Sequence, residues 1–177
     1  MNASKLEQNL IGVIVEMALK MGLSRAPLSL NYPCASLARM LGVPARPQAV
    51  KAALDAFFAA RTGLFGAVQV EAFEDGFCLT IPAEGVARVV SQAPAAAFLR
   101  DLIHTAQLPG ATAEDLLAAF RRHSSHVHVE PVDNDEFDWL VYFEDGVPDD
   151  FRYCIDTHDG FASYHRFSKE DYEAFGF

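Results

Sequence analysis

Two changes of pattern along the chain predict an α+β fold, with helices leading and an antiparallel sheet closing it. Before residue 123 apolar side chains recur mostly every three or four residues, the spacing of one helical face. From residue 126 onward they alternate instead, the period of a strand with two different faces. Asp-Gly pairs at 75–76 and 159–160 each stand between alternating runs, where a tight turn with positive φ favours that pair. The expected closing sheet has four strands.

The elements follow in order. Ser4 with Glu7 reads as a capping box and Gly22 as a C-terminal stop. Between them Leu6, Leu10, Val13, Ile14, Met17 and Met21 form a helical stripe that Val15 and Leu19 widen. A short extended piece, Pro27–Leu30, leads to a helix over Ala35–Val43 that Gly42 and Pro44 end. A longer helix, Ala49–Ala60, turns Val50, Leu54, Phe57 and Phe58 inward. A hairpin follows, and taking Asp75 and Gly76 as its loop sets Glu74 opposite Phe77. Val68, Val70, Ala72, Phe77, Leu79 and Ile81 then share one apolar face. Three helices are expected at Pro82–Val90, Ala95–Gln107 and Thr112–Arg122, the last opened by the capping pattern Thr-Ala-Glu-Asp. Strands at His126–Val132 and Glu136–Phe143 precede a hairpin over Phe151–Phe167, and Ser168 caps a final helix.

That last hairpin has a definite expected register. With Asp159 and Gly160 as the loop, Cys154 faces His165 and Asp156 faces Ser163. Arg152, Cys154, Asp156, Ser163 and His165 then lie on one polar face, with Phe151, Tyr153, Ile155 and Tyr164 on the other.

The order helix, short strand, helix, turn, helix, hairpin over residues 4–82 resembles the winged helix-turn-helix, and SLARMLGV is similar to the first helix of its turn unit. The resemblance implies a winged-helix-like unit at 1–82; residues 83–177 read as helices and the antiparallel sheet, and with no flexible linker between 82 and 125 the parts are expected to pack as one globule. A second resemblance runs nearly the whole chain. NYPCASLARML, the hairpin leading into IPAEGV, and FRYCIDTHDGFASYHRFSKEDYEAF resemble an uncharacterised bacterial family, found largely in anaerobes and known only as a domain of unknown function. That family implies no activity and lends no functional residues.

Bulk properties narrow the classes. Half of the 177 residues are apolar, enough for a core. The N-terminus lacks the pattern of a signal peptide, and no apolar run approaches the ~20 residues of a membrane helix, so a cytoplasmic protein without a membrane partner is expected. Three scattered cysteines, Cys34, Cys78 and Cys154, fit neither a disulfide framework nor a zinc ribbon. No Gly-rich phosphate loop occurs, and no cofactor is supported by any motif. The net charge of −10 is uneven: residues 130–177 carry fourteen Asp/Glu against three Lys/Arg. Such a surface repels phosphates and attracts basic partners or a divalent cation.

Four constellations are candidates. A DNA-reading helix would use Arg46, Gln48 and Lys51, but the adjoining hairpin carries Glu71, Glu74 and Asp75 and no basic residue. A metal site would use His126 and His128, on one face of a strand with Glu130, joined by Asp156 and His165 if the polar faces align. A nucleophilic pair would be Cys154 with His165, although Cys154 sits in mid-strand with no oxyanion hole in sight. A pocket lined by Tyr153, Trp139, Tyr164, His165 and Arg166 competes with plain packing, in which Phe137, Trp139, Val141 and Phe143 face the helices. The leading expectation is a non-enzymatic regulatory or interaction protein, meeting a protein partner or a second copy. A small enzyme or metal-dependent sensor is the alternative.

Overall fold

The computed structural model describes residues 5–22, 26–132, 136–157 and 161–175. It divides into two compact units, residues 1–96 and 97–177.

In the first unit, helix α1 (Lys5–Met21) buries Leu6, Leu10, Ile14, Val15 and Ala18. The buried stripe is narrower than the apolar pattern: Met21 is exposed, and Gly22 ends the helix with φ +67°. The Ser4 half of the expected capping box lies outside the described residues. Strand β1 (Leu28–Pro33) runs into α2 (Cys34–Leu41), which Gly42 stops in the left-handed conformation. Helix α3 (Pro47–Ala59) begins with Pro, whose missing N–H is no loss in a first turn, and buries Val50, Leu54, Phe57 and Phe58. A single turn, α4 (Thr62–Phe65), adds Phe65 edge-on to Phe58 with ring centroids 5.8 Å apart. Strands β2 (Gln69–Phe73) and β3 (Gly76–Ile81) form the hairpin, and α5 (Ala83–Gln92) follows. The three strands make an antiparallel sheet in the order β1-β3-β2, with β3 central and mostly buried.

The hairpin corrects one expectation. Phe73 pairs with Gly76, so the loop is Glu74-Asp75 and the register is shifted by two residues from the one expected. Faces survive a shift of two, so Leu79 and Ile81 are still buried. The reason lies in what Gly76 does. A Cβ there would sit 2.0 Å from the Tyr32 carbonyl oxygen, so glycine is needed for close approach of β1.

In the second unit, α6 (Pro94–Ala106, shared with the end of the first) and α7 (Ala113–His123) precede the sheet. Thr112 caps α7: its Oγ1 accepts from the Asp115 amide, and the Asp115 carboxylate accepts from the Thr112 amide. Strands β4 (Val127–Pro131), β5 (Trp139–Phe143), β6 (Phe151–Asp156) and β7 (Ser163–Ser168) form an antiparallel sheet in sequence order. Helix α8 (Lys169–Phe175) begins where Ser168 Oγ accepts the Asp171 amide. The α+β fold and the four-stranded closing sheet are as expected. One sheet face meets α6 and α7, where Phe98 and Phe120 pack against Phe143 and Tyr153 at centroid distances of 4.9–5.7 Å, edge-on in every pair but the tilted Phe120–Phe143.

Candidate functional site

The other face of this sheet holds most of the expected site residues. Cys154 faces His165 across the β6–β7 ladder, and Asp156 faces Ser163, in the register expected from a two-residue loop. The loop residues Asp159 and Gly160 lie outside the described residues. The face itself differs from the expectation. Cys154 is fully buried in a small second core with Phe137 and Leu140, against which Val132, Tyr142, Phe167 and Tyr172 pack. Phe137, expected on the helix side, instead covers this face, with its ring 5.2 Å from that of His165. Sequence alternation could not show this, because Phe137 precedes β5 and Tyr172 arrives from α8.

Burial decides the chemistry of the thiol. It pushes Cys154 up to about 11, where almost no thiolate exists near neutrality. His165 is exposed at the surface and stacks at 6.5 Å on Phe167.

His165 lies at the opposite edge of the sheet from His126 and His128. His126 Nδ1 lies 3.2 Å from Asp145 Oδ2, and the Val147 amide and His126 together hold the Asp145 carboxyl below its usual range. His128 stacks on Tyr142 at 4.6 Å, and Arg152 lies over the same Tyr142 ring at 3.8 Å. His128 Nε2 is 3.2 Å from Glu130 Oε2 without hydrogen-bond alignment. His126 precedes β4 and His128 lies within it, whereas His165 belongs to β7 at the opposite edge. Three strand spacings separate those edges, about 14 Å. Among the described residues no group of three or more His, Cys, Asp or Glu side chains converges to hold a metal ion.

In the first unit, Arg46 and Gln48 are exposed at the start of α3. Lys51 Nζ lies 2.7 Å from both Asp55 carboxylate oxygens, which neutralises the cation on its own helix. On the hairpin Glu71, Glu74 and Asp75 are all exposed, beside a Phe73 that is 46% exposed.

Two side-chain networks escaped the sequence reading. The Asp149 carboxylate, 1% exposed, accepts from the Phe151 amide at 2.8 Å, Tyr153 Oη at 2.9 Å and Arg166 Nη2 at 2.8 Å. Arg166 Nε also donates to Tyr153 Oη at 2.9 Å, and its guanidinium lies over the Phe151 ring. The available signal was parity: Arg166 shares the apolar side of β7 with Tyr164, and a charge there needs a buried partner. The second network joins Asp101 of α6 to Arg122 and His123 of α7 at 2.9–3.1 Å. The Arg122 contact, with His123, holds the Asp101 carboxyl low. Thr105, Asp115 and Arg122 also border a cleft of about 270 Å³ with Leu108, Pro109 and Ala118.

An α+β chain with a covered thiol, scattered histidines and an acidic exposed hairpin is the class these features define. The chain belongs to the family described as "Domain of unknown function, E. rectale Gene description (DUF3877)", whose profile matches residues 3–176. No curated protein and no solved structure matches it. Among the described residues no helix is long and apolar enough to cross a membrane.

Proposed function

We propose that this is a non-enzymatic regulatory or protein-interaction protein of the bacterial cytoplasm, in which residues 1–82 form a winged-helix-like scaffold that docks a protein rather than DNA. The order α1, β1, α2, α3, the single turn α4, β2, β3 and the strand order β1-β3-β2 support the scaffold. The carrying observation is the character of its exposed hairpin: three carboxylates surround a half-exposed Phe73. Phosphate backbones are repelled by such a hairpin, and Lys51 is already tied to Asp55. An exposed aromatic beside charge suits a protein contact, where aromatic anchors carry much of the binding energy. The second unit carries six Lys/Arg against seventeen Asp/Glu, which extends the preference for basic partners. The burial of Cys154 and the separation of the histidines weigh against the enzyme and metal-sensor reading.

Photo-crosslinking tests the proposal. Phe73→benzoylphenylalanine in cells should give adducts with protein. Adducts with nucleic acid, or none, would overturn it.

A further inference from the structure

The hairpin has an edge that natural sheets rarely leave unguarded. Strand β2 is the outer strand of its sheet among the described residues, and four of its five residues are exposed. Phe73 pairs with Gly76 across only two loop residues, so that terminal pair must exchange its own ladder bonds. Alternation then assigns Glu71 and Gln69 to bonding β3, and leaves the N–H and C=O groups of Val70 and Ala72 directed away from the sheet.

Edges of this kind are normally blunted with charged side chains, above all Lys, with Pro, with a bulge or by a very short strand, and the one charge on β2 is Glu71. The sequence QVEAF has neither Lys nor Pro, and its register with β3 is unbroken from Gln69 to Phe73. The opposite edge strand, β1, does end in such a guard, Pro33.

We infer that the free edge of β2 is a docking site for an extended basic segment of a partner protein, which adds to the sheet as a fourth strand. The inference rests on the protein-interaction reading and names the partner's chemistry. Main-chain bonds to Val70 and Ala72 would supply the pairing, a general mode of peptide recognition. Side chains would supply the choice. Glu71, Glu74 and Asp75 are exposed around the edge, and no Lys or Arg occurs between Thr62 and Ala87 to offset them. Phe73 offers an apolar contact to alternate residues of the incoming strand. A second copy of this chain fits poorly: antiparallel pairing of β2 with itself about its centre sets Glu71 against Glu71, and like charges directly opposite are destabilising.

The test uses the full chain and a fluorescein-labelled peptide of alternating lysine and valine, about six residues long, the usual strand length. Controls are the glutamate–valine counterpart and a lysine–valine peptide N-methylated at alternate amides. Binding is read by anisotropy, and amide exchange at Val70 and Ala72 is read by NMR. The lysine peptide should bind, slow exchange at both amides at least about tenfold, and lose binding on N-methylation. Glu71→Lys should weaken the lysine peptide roughly three- to tenfold and favour the glutamate peptide. Ala72→Pro should abolish binding; its amide points outward, so the β2–β3 ladder keeps its bonds. Binding without protection of Val70 and Ala72, indifferent to N-methylation, would overturn the edge site and leave the interaction reading standing. Failure of the lysine peptide to bind would also overturn it, whereas crosslinks to nucleic acid from position 73 would remove the interaction reading itself.

Discussion

Asp149→Ala should be among the most damaging single substitutions in the second unit. The side chain of Asp149 is 1% exposed and that of Arg166 5%, so the pair is shielded from water and from salt. Removing the carboxylate takes one acceptor from three donors at once: the Phe151 amide, Tyr153 Oη and Arg166 Nη2. A buried donor that loses an acceptor costs about 1–3 kcal/mol, and Tyr153 Oη still accepts from Arg166 Nε. Breaking one side of a buried ion pair costs about 3–5 kcal/mol in total, and that is the expected loss here. Asp149→Asn retains an acceptor for part of the network and should lose less. The exposed pair Arg121–Glu114, at a similar 2.7 Å, is the internal control: Glu114→Ala should cost under about 1 kcal/mol. Urea unfolding followed by the near-ultraviolet signal of the aromatic core reads all three variants. A loss below about 1 kcal/mol for Asp149→Ala would refute the reasoning, because it would mean water reaches Arg166 freely.

Three further outcomes are expected. Cys154 should be the last of the three thiols to react with iodoacetamide: with its pKa at about 11, roughly one molecule in 10⁴ carries a thiolate at pH 7, and the sulfur is buried. Labelling of Cys154 ahead of the half-buried Cys34 and Cys78 would contradict the covered face. Gly76→Ala should destabilise the first unit by roughly 1–3 kcal/mol in the same urea assay, because the new Cβ meets the Tyr32 carbonyl oxygen at 2.0 Å; a neutral effect would argue against the close approach of β1. The lowered pKa of Asp101 stabilises the fold in full above its ordinary value of 3.8, and this contribution is lost as pH falls through the lower folded value. Asp101→Asn should therefore flatten the acid limb of a stability-against-pH curve and lower stability at neutral pH; an unchanged acid limb would exclude the linkage.

What the sequence carried was local. The inward residues of α3, Val50, Leu54, Phe57 and Phe58, and the Thr112 cap of α7 were legible from spacing and capping chemistry. So was the Cys154–His165 pairing, which follows from taking Asp159 and Gly160 as a two-residue loop, since period two alone fixes the face and not the register. The first hairpin misled for a physical reason: Gly76 resembles a turn glycine, yet it is required where a third strand crowds the backbone. The covering of Cys154 by Phe137 and Tyr172, and the meeting of Asp149 with Arg166, depend on contacts between separate elements, which no local pattern encodes.

The central claim, a winged-helix-like scaffold that docks protein and not DNA, is tested most directly by titrating the full chain against random duplex DNA over a range of salt. Too few free cations lie on α3 and the hairpin to release many counterions, so no tight binding is expected at physiological salt, and only weak binding at low salt. Binding that is tight at low salt and falls steeply as salt rises would contradict the account.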